Sequence, residues 1–129
     1  VALIAENTYS VLSACSHRGI TNILRTIGNC FPGYTFKLLA GGFHIHNAQD
    51  EKFSIIADYL KNNLPEQIGI CHCTGIDKYA LFRQTFGNRV FYNYTGNTFF
   101  LKFLSPPPPP GAIFTFTLRS AGTGMTSFL

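Results

Sequence analysis

Charged side chains are scarce in this 129-residue chain: they make up 12% of it, ten basic against six acidic, for a formal net charge of +4. The basic residues stand singly and form no stripe that would follow a phosphate backbone, which argues against a nucleic-acid partner. No apolar run approaches the roughly 18 residues that a membrane span needs. Nor does a basic segment, an apolar stretch and a small-residue cleavage site open the chain in the manner of an export signal. Neither a membrane nor an oxidising compartment is therefore expected, and the cysteines at 15, 30, 71 and 73 read as free or metal-bound thiols in the cytoplasm rather than as a disulfide framework. Catalytic carboxylate pairs are lacking too. Asp50, Glu51 and Asp77 fall in expected first turns of helices, where negative charge offsets the helix dipole, and Asp58 and Glu66 have no evident acidic partner. What is abundant is apolar surface: 46% of residues are hydrophobic, enough for one compact domain and too many for a disordered chain. The chain opens at Val1 inside an apolar stretch, so its natural start is expected upstream.

The apolar pattern changes period along the chain. "VALIAENTYSVLSA" reads as a hairpin around Asn7-Thr8. Ile20, Ile23, Leu24 and Ile27 then recur at three-and-four spacing, predicting a helix over about 18–29 that stops near Gly28-Asn29. "YTFKLLAGG" is a strand. Asn47 reads as the N-cap of a second helix, marked by Phe53, Ile56, Ala57 and Leu60 and ended before Pro65. "QIGIC" is a third strand unit. Thr74 with Asp77 has the capping-box form opening a third helix, whose apolar side would hold Ala80, Phe82 and Phe86 and whose end is Gly87. "RVFYNY" is a last strand. Strands separated by helices of crossover length predict an α/β domain with parallel strands and with its helices on one face of the sheet. The runs "ALIA" and "LLA" are apolar on both faces, so the second face needs a cover that the sequence hardly provides. This domain would occupy 1–104. Residues 105–129 differ: Pro106 to Pro110 favour an extended polyproline rod, read as a spacer with a loosely ordered tail, a proline-recognition ligand being the alternative. Ile113 to Leu118 alternate like a strand. No internal repeat is visible.

His17, His44 with His46, and His72 each follow a strand and precede a helix. With parallel strands, all three turns reach the rim outside the carboxyl ends, where α/β sheets bind ligands and helix N-termini offer free N–H groups. Imidazoles gathered from three loops, without a serine placed as nucleophile, point to metal-assisted chemistry. The expected cofactor is a divalent metal, zinc first, with iron or manganese as the alternatives. A catalytic zinc keeps an open coordination position and lowers the pKa of its water to about 7.

"SACSHRGITNIL", "AGGFHI" and "ICHCTG", in this order and spacing, resemble the second half of metallo-β-lactamase-fold hydrolases, in particular the subgroup that includes dihydropterin-ribofuranosyl-aminobenzene-phosphate synthase-like proteins. The resemblance covers about residues 1–98. It implies half of an αββα sandwich whose sheet edge holds one or two metals. By position, His17 resembles the metal-binding histidine of the family's third motif, and His72 that of its last. Where the fourth motif usually supplies a bridging aspartate this chain reads "GGFHIHN", so either His44 takes that place or the bridging ligand is absent. The His-x-His-x-Asp-His loop of the family's first half has no counterpart here; "HIHN" lacks the Asp-His and comes too late in the chain.

Each candidate also has an ordinary reading. His17 and His72 could be loop residues bonded locally, His44 is as readily a loop residue as a ligand, and His46 is read as structural. If strand geometry continues through His72, Cys71 and Cys73 point away from its imidazole and pack as small hydrophobes. The alternative is a closed zinc site of Cys15, Cys71, Cys73 and a histidine. Cys30 is read as incidental. Gly41-Gly42 suits a tight strand-to-loop turn better than an anion cradle. Two functions follow. One is a portion of a metal-dependent hydrolase that uses metal-activated water on a phosphoester or related ester-like bond of a small molecule, inactive without a missing N-terminal half. The other is a non-catalytic half-domain that pairs with itself or another protein through an uncovered sheet face.

Overall fold

A computed structural model describes residues 1–99. The proline run, the alternation at 113–118 and the domain boundary near 104 lie outside the described residues. Five strands form one sheet in the order β1-β2-β3-β4-β5: β1 Ala2–Ala5, β2 Thr8–Ser13, β3 Thr35–Gly41, β4 Gln67–Ile70 and β5 Val90–Tyr92. β1 pairs antiparallel with β2, and every later pair is parallel. The helices α1 Ile20–Cys30, α2 Asp50–Asn62 and α3 Ile76–Phe86 supply the three crossovers. The α/β architecture expected from the alternating periods is the one observed.

One core joins the sheet to all three helices. Val11, Leu39, Ile68, Ile70 and Val90 from the parallel strands pack with Ile20 and Leu24 of α1, Ile56 and Leu60 of α2, and Phe82 of α3. Along β2 and β4 the contributing positions alternate, Tyr9 with Val11 and Ile68 with Ile70, as the pleat requires when one face meets helices. The other face is not bare at its centre: Leu38 and Ala40 are buried, and the ring of Phe91 lies so close to Gly69 that a Cβ there would meet it at 2.6 Å. The expected uncovered face is thus absent at those positions.

Several local expectations are corrected. The hairpin turn is Glu6-Asn7, with Ala5 opposite Thr8 in the register and Glu6 at φ 53°. α2 is preceded by Gln49 rather than capped by Asn47, and no side chain caps it. Thr74 does not cap α3. It lies in a short 3-10 turn over His72–Thr74, fully buried, and its Oγ1 accepts from the Phe43 amide at 2.8 Å; Gly75, at φ 84°, is the residue at the helix start. A tertiary bond to a neighbouring loop has displaced the local cap. The inner side of α3 carries Lys78 and Phe82, with Tyr79 and Phe86 packed beside them, whereas Ala80 is exposed. Lys78 reaches this position because its long apolar stem packs while its amine extends to Asp50 Oδ1 of α2 at 2.6 Å.

Candidate metal centre

Three loops at the carboxyl ends of β2, β3 and β4 are joined by backbone bonds. The Ser16 amide donates to the Gly42 carbonyl at 3.0 Å, the Ile45 and His46 amides both donate to the Cys73 carbonyl at 3.1 Å, and the Cys71 amide donates to the Gly41 carbonyl at 3.2 Å. The same loops leave their imidazoles exposed close to buried residues that anchor the chain. Phe43 and Ile45 are each 1% exposed and bracket the exposed His44, and Ile70 and Thr74, both fully buried, lie either side of the exposed His72. Exposed His17 follows Ser16, which is buried and donates its hydroxyl to the Gly42 carbonyl at 2.9 Å. That hydroxyl is also 2.8 Å from Ser13 Oγ, so the one serine inside the loop is held in the scaffold.

His44 and His72 have φ of 56° and 53°, the left-handed region that only a few per cent of residues other than glycine adopt. At His72 the left-handed backbone ends the strand alternation and brings Cys73 to the same side of the rim, whereas after His44 the chain returns at once to the core with Ile45. This overturns one expectation directly. Cys73 does not point away from the imidazole of His72: its Sγ, the Cys15 Sγ and a His72 ring nitrogen all lie within 4.8 Å of one another. Cys15, His17 and His44 form a second such group, with the His17 and His44 ring centroids 4.4 Å apart and Cys15 Sγ 3.3 Å from His44 Nδ1. Cys15 belongs to both groups, and its sulfur is 2.9 Å from that of Cys73.

Of the residues singled out by sequence, the rim therefore brings His17 and His44 together and places His72 beside them through the shared Cys15. His46 stays outside both groups; its amide serves the loop junction. Cys71 is turned away, with Asn93 Nδ2 4.0 Å from its sulfur, so a site of three thiolates is not formed. Cys30 is exposed at the end of α1. The two glycines are explained by close approach. A Cβ on Gly41, at φ 139°, would fall 1.7 Å from the Ser13 carbonyl oxygen, and one on Gly42 would fall 2.7 Å from Cys73 Sγ and 3.3 Å from His72 Cδ2.

The sequence placed Cys15 and Cys73 beside a histidine only in the alternative closed site, together with Cys71, which the structure leaves out of both groups. The flanking of "SH" and "H" by Cys15 and Cys73 was visible; the left-handed residue that reorients Cys73 was not. Burial and the neighbouring Cys73 thiol push the Cys15 thiol up to about 11, and burial raises the Cys71 thiol, partly offset by Asn93. The donor set of two thiols and three imidazoles suits a borderline-soft divalent ion, for which zinc is the usual choice; thiolate ligands must lose their protons on binding.

The fold that holds this rim is that of metal-dependent hydrolases of the β-lactamase superfamily. A solved structure of such a hydrolase superposes with a TM-score of 0.67 at 30% identity, covering 72% of this chain and 36% of that one. A curated relative is more specific in kind: the 7,8-dihydropterin-6-methyl-4-(β-D-ribofuranosyl)-aminobenzene-5'-phosphate synthase of Methanocaldococcus jannaschii is 27% identical over 86 residues, which is 67% of this chain and 29% of that protein. The chain thus spans about a third of the length of either relative. No family model matches it. Among the described residues no helix is long and apolar enough to cross a membrane.

Proposed function

We propose that this chain carries one side of the metal centre of a hydrolase acting on a phosphoester or related ester-like bond, with His17, His44 and His72 as metal ligands. The observation that supports it most is the meeting of these three imidazoles, from three separate crossover loops, around the shared Cys15. A divalent metal there, zinc before iron or manganese, supplies Lewis-acid activation of water and of the bond to be cleaved. The chain's own part is to hold the ion and to receive an anionic group. For the second task α1 is suited: unlike α2 and α3 it has no acidic residue in its first turn, and Arg18 lies just before it.

Turnover by this reading needs further ligands from elsewhere, because the resembling family draws on a His-x-His-x-Asp-His loop that residues 1–129 do not contain. The test is metal titration of the purified, metal-stripped chain with Zn²⁺ and with Co²⁺ as a visible reporter. Binding is expected, and H17A, H44A and H72A should each weaken it by at least about 10–100-fold, the loss seen even for residues that only orient ligands. Binding that is unchanged in all three variants, or no binding at all, would refute the assignment.

A further inference from the structure

Cys15 and Cys73 are 58 residues apart in sequence, yet their sulfurs are 2.9 Å from each other. That is closer than the ~3.5–4.0 Å of ordinary contact between smaller carbon atoms and within about 1 Å of a disulfide bond length. The approach is built in from both sides. The Cys73 carbonyl is held by two amides of the His44 loop, and Ser16 ties the Cys15 loop to Gly42. Gly42 clears the ground between them, since a Cβ there would lie 2.7 Å from Cys73 Sγ and 2.9 Å from the Ala14 carbonyl oxygen. The pairing is also selective: neither Cys71, near Asn93, nor exposed Cys30 belongs to the cluster. Both residues are half-buried rather than sealed in the core.

We propose that Cys15 and Cys73 are a redox modification site, forming a reversible disulfide by exchange with a low-molecular-weight disulfide such as glutathione disulfide. One protein thiol loses its proton to solvent and attacks a sulfur of the small disulfide, giving a mixed disulfide and releasing one thiol. The second protein thiol, deprotonated in turn, attacks the protein-side sulfur of the mixed disulfide, closing the Cys15–Cys73 bond and releasing the second small thiol. Two protein thiols are oxidised and one small disulfide is reduced to two thiols. Because Cys15 belongs to both ligand groups, the bond would withdraw sulfur from each; that consequence rests on the metal reading above, whereas the disulfide itself does not.

The experiment uses the metal-stripped chain, so its failure is separate from a failure to bind metal. The reduced chain is incubated with glutathione disulfide, unfolded, alkylated and mapped by mass spectrometry, with dithiothreitol reversal as the control. Two of the four thiols should be protected and recovered on reduction, in wild type and equally in C71S and C30S. C15S and C73S should lose the protected pair and yield at most a glutathione adduct. Four alkylated thiols, adducts without an internal bond, or a protected pair that persists in C73S would overturn the proposal. The C71S variant guards against misassignment, since residues 71 and 73 share one tryptic peptide.

Discussion

Two of the rim imidazoles sit on backbone that L-residues adopt reluctantly, and this separates the side chain's role from that of its φ angle. At His44, with φ 56°, alanine keeps the strain and glycine removes it. H44G is therefore expected to be more stable than H44A by about 1 kcal/mol in urea unfolding, although both lose the imidazole. Equal stabilities would show that the loop relaxes out of the left-handed region. Cys15 carries a second residue-level prediction. Its thiol is raised from 9.0 to about 11, so the folded chain keeps a proton that the unfolded chain has already lost. The stability this contributes is fully present below pH 9 and is lost as pH rises through about 11. Cys71, Tyr9 and Tyr59 are raised as well and act in the same direction. Unfolding free energy should fall between those pH values, and C15S should lessen the fall; an unchanged slope in C15S would exclude Cys15 as a contributor.

Between the helices and the rim the coupling runs through aromatic packing. Phe82 of α3 is fully buried, edge-on to Phe43 at 5.5 Å and to Phe53 of α2 at 4.8 Å. Phe43 precedes His44, so the same contact that docks α3 also anchors the loop. F82A is expected to cost about 3–5 kcal/mol of stability by leaving a cavity. In conditions where the variant remains folded it should also weaken metal binding, which F82L, refilling much of the cavity, should partly restore; metal binding untouched in folded F82A would uncouple the helix from the site. The element pattern itself was largely legible. Period-two and period-3.6 stretches marked all five strands and three helices within a few residues, because burial on one face imposes those periods. Caps were less legible: Thr74 fits the local rule for a helix start, yet its hydroxyl is used by the Phe43 amide from another loop.

At the scale of the whole molecule, the described residues make one sheet with helices, the half of a sandwich that the resemblance implied, and they match about a third of a metal-dependent hydrolase. Metal binding and turnover should accordingly separate. The chain alone is expected to bind Zn²⁺ and to leave an aryl phosphoester uncleaved, measured by release of the phenol at matched metal occupancy. Metal-dependent release that disappears in H72A would show instead that these residues suffice.

Sequence alone determined the order of elements, the parallel crossovers and the arrival of His17, His44 and His72 at one sheet edge. Each follows from chain connectivity: a strand followed by a crossover helix leaves its turn at the same rim every time. Only the tertiary structure decided which donors meet. Left-handed backbone at His72 brings Cys73 to its side, Cys15 joins both groups, and Cys71 is turned toward Asn93. Those outcomes depend on φ angles and on contacts between loops far apart in the chain, and neither leaves a period in the sequence.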